Sequence, residues 1–315
     1  MELYIYNPDI ELQGVIDGYS SLRWRRRYFE PGEFELHAPA TDSNIALLQE
    51  GNIIHRLDRQ EAGIIEGATI ATADTGGDEI TVTGRMGSSM LGRRVITPTV
   101  NFTGTVEAAM RKVVSDNAIA ARPLAHLVLG GAAGLAPTCT FQATGKNVLT
   151  TCTALARSAP LGFRCRLDVP GKRWVFEVYD GTDRSVTQHD RPYVLFSDEF
   201  RNIVNPKYEI NTTGAANYAY VAGQGSGENR VIVTVDQTGG EPRRELWVDA
   251  RDLQQAEGQS LDDYKAQLTQ RGNEKLAEVA RVENFSADAV DTENFRYLTD
   301  WDLGDIVSFE KWGIR

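Results

Sequence analysis

Over most of the first 96 residues apolar and polar positions alternate with a period of two, the pattern of half-buried strands. Leu3 and Ile5, then Leu12, Val15 and Ile16, fall in short runs separated by Asn7-Pro8-Asp9 and by Gly14. In residues 21–29, Leu22, Trp24, Arg26 and Tyr28 share one side. Glu30-Pro31-Gly32-Glu33 then supplies a turn, because Pro fixes φ and Gly accepts φ above zero. Phe34, Leu36 and Ala38 alternate in the return strand, so the two runs predict a hairpin. Residues 52–56, 62–72 and 78–85 give three more strands, the last two joined at Thr75-Gly76-Gly77-Asp78. Strands at this spacing, with turn signals between them, predict a barrel or sandwich.

The period changes near residue 97. Val106, Met110 and Val113-Val114 recur at helical spacing, with Thr103 or Thr105 available as N-cap. A second helix is predicted over 147–159 through Val148, Leu149, Cys152, Leu155 and Ala156, with Asn147 or Thr144 near its cap, ending at Pro160 and Gly162. A hairpin over 162–168 and 172–179 turns at Pro170-Gly171. From Phe196 the chain returns to strand pattern at 203–210 and 217–224, and 231–235 is predicted to pair with 244–248 across Gly239-Gly240. One helix follows over 261–279, with Ser260 as N-cap and Asp262 and Asp263 at its positive end. The fold class is therefore mainly β with an α+β insertion. The first β-barrel-like domain covers 1–96 and is continued by 197–225, the small α+β domain covers 97–196, and a second barrel-like domain with one helix covers 226–315.

Composition narrows the function classes. The chain has 315 residues with 41% hydrophobic content, enough for a sizeable core and for roughly two domains. The net charge of −11 opposes whole-surface binding of DNA, which needs clustered Lys and Arg. The longest apolar stretch, near Leu124 to Pro137, is broken by Gly130, Gly131 and Gly134 and is too short to span a bilayer, so no membrane insertion by this chain is expected. The first residues lack the pattern of a signal peptide. Cys139, Cys152 and Cys165 lie thirteen residues apart, fit no zinc spacing, and read as buried reduced thiols of a chain made in a reducing cytoplasm.

Five stretches invite a chemical reading. Gly223-Gln224-Gly225-Ser226-Gly227 is followed by strand rather than helix, so it reads as a hairpin loop, not a dinucleotide site. Gly145-Lys146 lacks the earlier glycine and the following hydroxyl of a phosphate loop, since Thr140 and Asn147 occupy those places. His37, His55, His126 and His189 are scattered, without metal-ligand spacing. Asp300-Trp301-Asp302-Leu303-Gly304-Asp305 has its glycine one place early for a calcium loop and reads as a tight turn. Arg23 to Phe29 is basic and aromatic, and reads as a strand whose outward arginines meet carboxylates, or as a protein–protein contact, rather than a site for single-stranded nucleic acid. Trp174, Trp247 and Trp301 read as core residues. No catalytic, cofactor-binding or metal-ligating residue is assigned, no cofactor is expected, and the chain is read as not an enzyme.

The chain resembles the siphovirus-type phage tail proteins that form the baseplate hub, also called tail-associated proteins, which are related in fold to contractile-tail hubs. The resemblance rests on Glu2 to Tyr6, on Ser21 to Leu36 (SLRWRRRYFEPGEFEL), on Gly51 to Ile54 leading to Glu61 to Glu66, on Asn217 to Gly225 (NYAYVAGQG) and on Trp301 to Val307 (WDLGDIV). It implies a homotrimer at the virion tail tip, in contact with the distal tail protein and the tape-measure protein. DNA would pass through the ring without being specifically bound. It also implies further barrel strands after Lys311-Trp312-Gly313-Ile314-Arg315, so the last segment reads as an unfinished hairpin. The alternatives are a receptor- or carbohydrate-binding tail protein and a tail-associated cell-wall hydrolase.

Overall fold

The computed structural model describes residues 1–72 and 76–314. The first stretch builds β1 (Leu3–Tyr6), β2 (Leu12–Ile16), β3 (Ser21–Arg25), β4 (Glu33–Pro39), α1 (Asp42–Leu47), β5 (Ile53–His55), β6 (Ala62–Thr72) and β7 (Asp78–Met86). The strands form one seven-stranded antiparallel sheet in the order β2-β1-β5-β6-β7-β4-β3. Alternation does its expected work in β4, where Phe34, Leu36 and Ala38 are buried and Glu33, Glu35 and His37 face outward. Leu3, Ile5, Ile54, Ile80 and Val82 join them in one core, closed by Leu48 just after α1. Each such fully buried aliphatic side chain contributes about 1.5–3 kcal/mol relative to exposure. Phe34 lies over Gly63 and Gly84, and a Cβ at Gly84 would also stand 2.0 Å from the Ile64 carbonyl oxygen. The turn expected at Thr75-Gly76-Gly77-Asp78 falls partly on residues outside the described set.

This sheet is open, not the barrel the strand spacing suggested. Among the described residues β2 and β3 are its edges and do not pair with each other. A period of two says only that one face is buried. Closure depends on tilt and stagger, which the pattern does not encode. The first hairpin is also shorter than expected. Its last pair is Arg25 with Glu33, so residues 26–32 form a loop and Arg26 and Tyr28 leave the sheet.

The middle stretch adds β8 (Val100–Thr105), α2 (Val106–Val114), β9 (Leu127–Leu129), β10 (Thr138–Ala143), α3 (Val148–Ser158), β11 (Gly162–Asp168) and β12 (Arg173–Tyr179). Thr105 caps α2 and Asn147 caps α3, each accepting a backbone N–H three residues on. α2 passes directly into a π-helical turn over Ser115–Ala120. The two helices pack on the β11-β12-β9 sheet, and their core is continuous with Tyr6, Ile53 and Ile64 of the first sheet. That double covering explains why Ile53, Ile54 and His55 are all buried. The Glu107 carboxylate accepts the N–H groups of Ala133, Gly134 and Leu135 and fixes the Gly130–Pro137 loop on α2. Backbone hydrogen bonding accordingly keeps that carboxyl below its ordinary range even though burial opposes its charge.

The remaining elements are β13 (Leu195–Ser197), β14 (Ile203–Asn211), β15 (Tyr218–Ala222), β16 (Ile232–Asp236), β17 (Glu245–Asp249), α4 (Leu261–Glu278), β18 (Val282–Ala289) and β19 (Ser308–Glu310). Among the described residues they make no second barrel. β16 and β17, expected to pair with each other, flank β15, antiparallel on one side and parallel on the other, and α4 covers one face of that sheet. β14 pairs with β18 as a two-stranded ribbon, and β13 with β19. Residues 203–222 thus attach to later strands rather than continuing the first sheet.

Cys139, Cys152 and Cys165 are free and buried. Burial pushes the Cys139 and Cys152 thiols up to about 12 and raises that of Cys165 as well. The reactive thiolate is therefore suppressed. Ellman's reagent at mildly alkaline pH is expected to leave the native protein unmodified and to titrate all three thiols after denaturation. Rapid native labelling would contradict this burial.

Candidate functional site

The glycine-rich loop joins β15 to β16, as a hairpin loop does. Gly225 and Gly227 have φ of +95° and +54°. The loop is pinned from below, because the Tyr264 hydroxyl accepts the Gln224 N–H at 2.8 Å and donates to the Leu253 carbonyl at 2.9 Å. Lys146 pairs with Asp252 at 3.1 Å. His37 lies between Glu35 and Glu79, which raise its pKa, and His55 is buried against the Arg59 carbonyl, its pKa lowered by desolvation. His126 faces Asp9, and His189 is exposed. No cluster of three His, Cys, Asp or Glu able to hold a metal occurs among the described residues.

An open cleft of 530 Å³ lies between the 26–32 loop, α3 and the end of α4. Each of its acids is paired with a base, Glu278 with Lys275 at 2.7 Å. Glu30 and Glu33 are both engaged by Arg27, at 2.7 and 3.2 Å, and Glu30 also by Arg157. The arginines of the basic stretch are likewise matched with carboxylates, Arg25 to Glu33 at 2.6 Å and Arg23 to Glu35 at 3.8 Å. Trp24 stacks on Phe34 within the protein.

The dominant buried polar feature is a junction of three chain segments. Arg26 leaves β3 and turns inward, its side chain only 8% exposed. Its Nη2 donates to Glu61 Oε1 at 2.9 Å, and its Nη1 to Asp302 Oδ1 at 2.6 Å and to the Tyr297 hydroxyl at 2.6 Å. Burial works against the guanidinium charge, but Glu61, with Asp302 and Tyr297, outweighs it and holds Arg26 firmly protonated. Arg164 of β11 approaches the same Glu61 at 3.9 Å and is tied to Glu177 of β12 at 3.1 Å.

Tyr28 completes the junction. A Cβ at Gly162 or at Gly304 would come within 2.4 or 2.3 Å of its ring, so both glycines are needed to admit it. Gly304 also has φ of +100°, which a glycine accepts without strain. The ring meets Tyr179 edge-on at 5.3 Å, and the Gly181 N–H donates to its hydroxyl at 3.2 Å. The acidic segment at 300–305 is the expected turn. Asp305 accepts the N–H groups of Thr182 and Asp302 and pairs with Arg184 at 2.8 Å. No sequence signal joined Arg26 to Asp302, because they stand 276 residues apart.

Of the three tryptophans read as core, Trp174 is buried and Trp301 half-buried, but Trp247 is 57% exposed on β17. Its place in an apolar alternation concealed this. On a sheet covered on one side, alternation marks two faces without saying which one is packed.

No curated protein matches the chain. Among solved structures, the 43 kDa tail protein of prophage MuSo2 from Shewanella oneidensis aligns at a TM-score of 0.50 and 13% identity, covering 87% of this chain and 79% of that one. The tail protein from Neisseria meningitidis aligns at 0.49 and 15% identity, over 84% and 74%. The prophage tail protein gp18 from Listeria monocytogenes aligns at 0.49 and 9%, over 79% and 72%. At the identity of the MuSo2 protein the likeness is one of fold. The family model for Siphovirus ReqiPepy6 Gp37-like proteins matches residues 2–315, so the chain belongs to that family, with the fold of a prophage tail protein.

Proposed function

We propose that the protein is a structural, non-enzymatic component of a phage tail, a baseplate hub that works as a ring of three copies at the tail tip. The ring joins the tail tube to the tip, contacts the distal tail protein, and surrounds the path of the tape-measure protein and the DNA. The observation that carries this reading is the fold shared with the MuSo2 tail protein over 87% of the chain, within a family match running from residue 2 to 315. Charge supports it. A net charge of −11, with the basic stretch neutralised by its own carboxylates, suits a surface past which DNA slides without sticking. The junction at Arg26 and Tyr28 supports it as well, because a load-transmitting ring needs its units held in one orientation.

Light scattering over a range of concentrations tests the ring. A mass three times the 34.8 kDa chain, or a monomer–trimer equilibrium, is the expected result. A monomer at every concentration that also fails to bind the distal tail protein counts against the hub.

A further inference from the structure

One face of the β16-β15-β17 sheet is packed beneath α4, and the other leaves Ile232 and Trp247 exposed although Tyr218 and Ala222 on it are buried. Alternation sends Ala219, Val221, Val235 and Val248 into the core beneath α4. It therefore sends Tyr218, Tyr220, Ile232 and Trp247 to the opposite side. In the strand register Tyr220 stands directly between Thr234 and Trp247. Trp247 is 57% exposed and Ile232 45%. An exposed indole in the middle of a strand is informative, since large aromatic side chains are usually mostly buried.

The rings are held rather than loose. Tyr218 and Tyr220 meet edge-on at 5.2 Å, and the Arg243 guanidinium lies 3.9 Å over Tyr218. Arg230 sits 5.7 Å over the Trp247 ring, anchored by the Ala222 and Gly223 carbonyls and by Asp249. The Tyr220 hydroxyl donates to Glu245 at 3.3 Å. The result is a preorganised aromatic platform with carboxylates, guanidinium groups and a threonine hydroxyl at its margin.

Charge and size select the ligand. Arg243 is matched by Glu245 at 3.5 Å, and Arg230 and Arg251 share Asp249, with Asp236 opposite Tyr218 on the same face, so three guanidinium groups meet three carboxylates and the platform offers no surplus cation for a phosphate backbone. Its area, five residues by three strands or roughly 200 Å² from strand geometry, falls far below the ~800 Å² per partner of a stable protein interface. A flat ring pair with hydrogen-bonding groups beside it fits a ligand with one apolar face and a hydroxylated edge. We infer that this face binds a neutral oligosaccharide, one pyranose stacking on Trp247 and Tyr220 with its hydroxyls turned to Glu245, Asp249 and Thr234. The inference does not depend on the ring proposed above.

The test uses the full chain with cellohexaose, chitohexaose, maltohexaose and mannohexaose as probes, read by saturation-transfer NMR and calorimetry. At least one hexamer is expected to bind with Kd of about 1 mM or tighter. Trp247→Ala is expected to weaken it by at least about tenfold and Trp247→Phe by less, with the melting temperature nearly unchanged because the side chain is exposed. Three results overturn the inference. One is no binding of any hexamer at several millimolar. Another is equal binding by Trp247→Ala. The last is a Trp247→Ala variant whose native mass falls instead, which would make the face a contact between copies.

Discussion

Arg26→Met is expected to lower the unfolding free energy by about 3–5 kcal/mol, read as a fall in the urea midpoint at unchanged slope. Removing the guanidinium leaves Glu61, whose side chain is 6% exposed, buried without its principal counter-charge. It also strips the Tyr297 hydroxyl and Asp302 of their shared donor. The large figure belongs to breaking the pair, not to having it. Arg26→Met combined with Glu61→Leu should therefore recover most of the loss, because a buried ion pair replaced by apolar groups of similar volume is often close to neutral. A double variant as unstable as the single one would mean that the loss comes from Tyr297, Asp302 and packing rather than from the unpaired Glu61.

Tyr28→Ala is expected to cost about 2–4 kcal/mol, within the range for truncating a large aromatic in a packed site and below its top because Tyr28 is only half-buried. The ring fills a slot between Gly162 and Gly304, and neither glycine has a side chain to collapse into the space. Tyr28→Phe keeps the ring and gives up the bond from the Gly181 N–H and the hydroxyl's long donation toward Pro160, Tyr179 and Asp180, so about 1 kcal/mol is its share. Because Arg26 and Tyr28 serve one junction, the two losses should not add. Limited proteolysis gives an independent reading, with cleavage in the 290–305 segment expected to rise in both variants while the α2 and α3 core stays protected.

Much of the architecture was legible along the chain. The strands of the first sheet, the Asn147 and Ser260 caps, and the 162–168 with 172–179 hairpin follow from periodicity, capping chemistry and turn residues acting over a few positions. What was not legible depends on distant partners. Residues 26–29 continue the alternation of β3, yet Glu61, Tyr297 and Gly304 draw Arg26 and Tyr28 away from it. β16 and β17 look like a hairpin, but β15, earlier in sequence, lies between them. α1 has no buried residue of its own and so leaves no apolar stripe to read. The junction carries no motif, and the Trp247 platform is hidden within an ordinary strand alternation.

The chain order of the junction has a consequence for biogenesis. Arg26 and Tyr28 emerge from the ribosome early, whereas Tyr297, Asp302 and Gly304 follow some 270 or more positions later. Glu61 reaches Arg26 early, and Gly162 and Tyr179 flank Tyr28 midway, but until the late segment is made Arg26 lacks two of its acceptors and the Tyr28 slot stays open on the Gly304 side. The first sheet and the α2–α3 block already share one core, so what waits for the late segment is the closing of Gly304 over Tyr28. The junction therefore closes only once residue 304 has been made, and a chain interrupted before that point carries Arg26 and Tyr28 with their late partners missing.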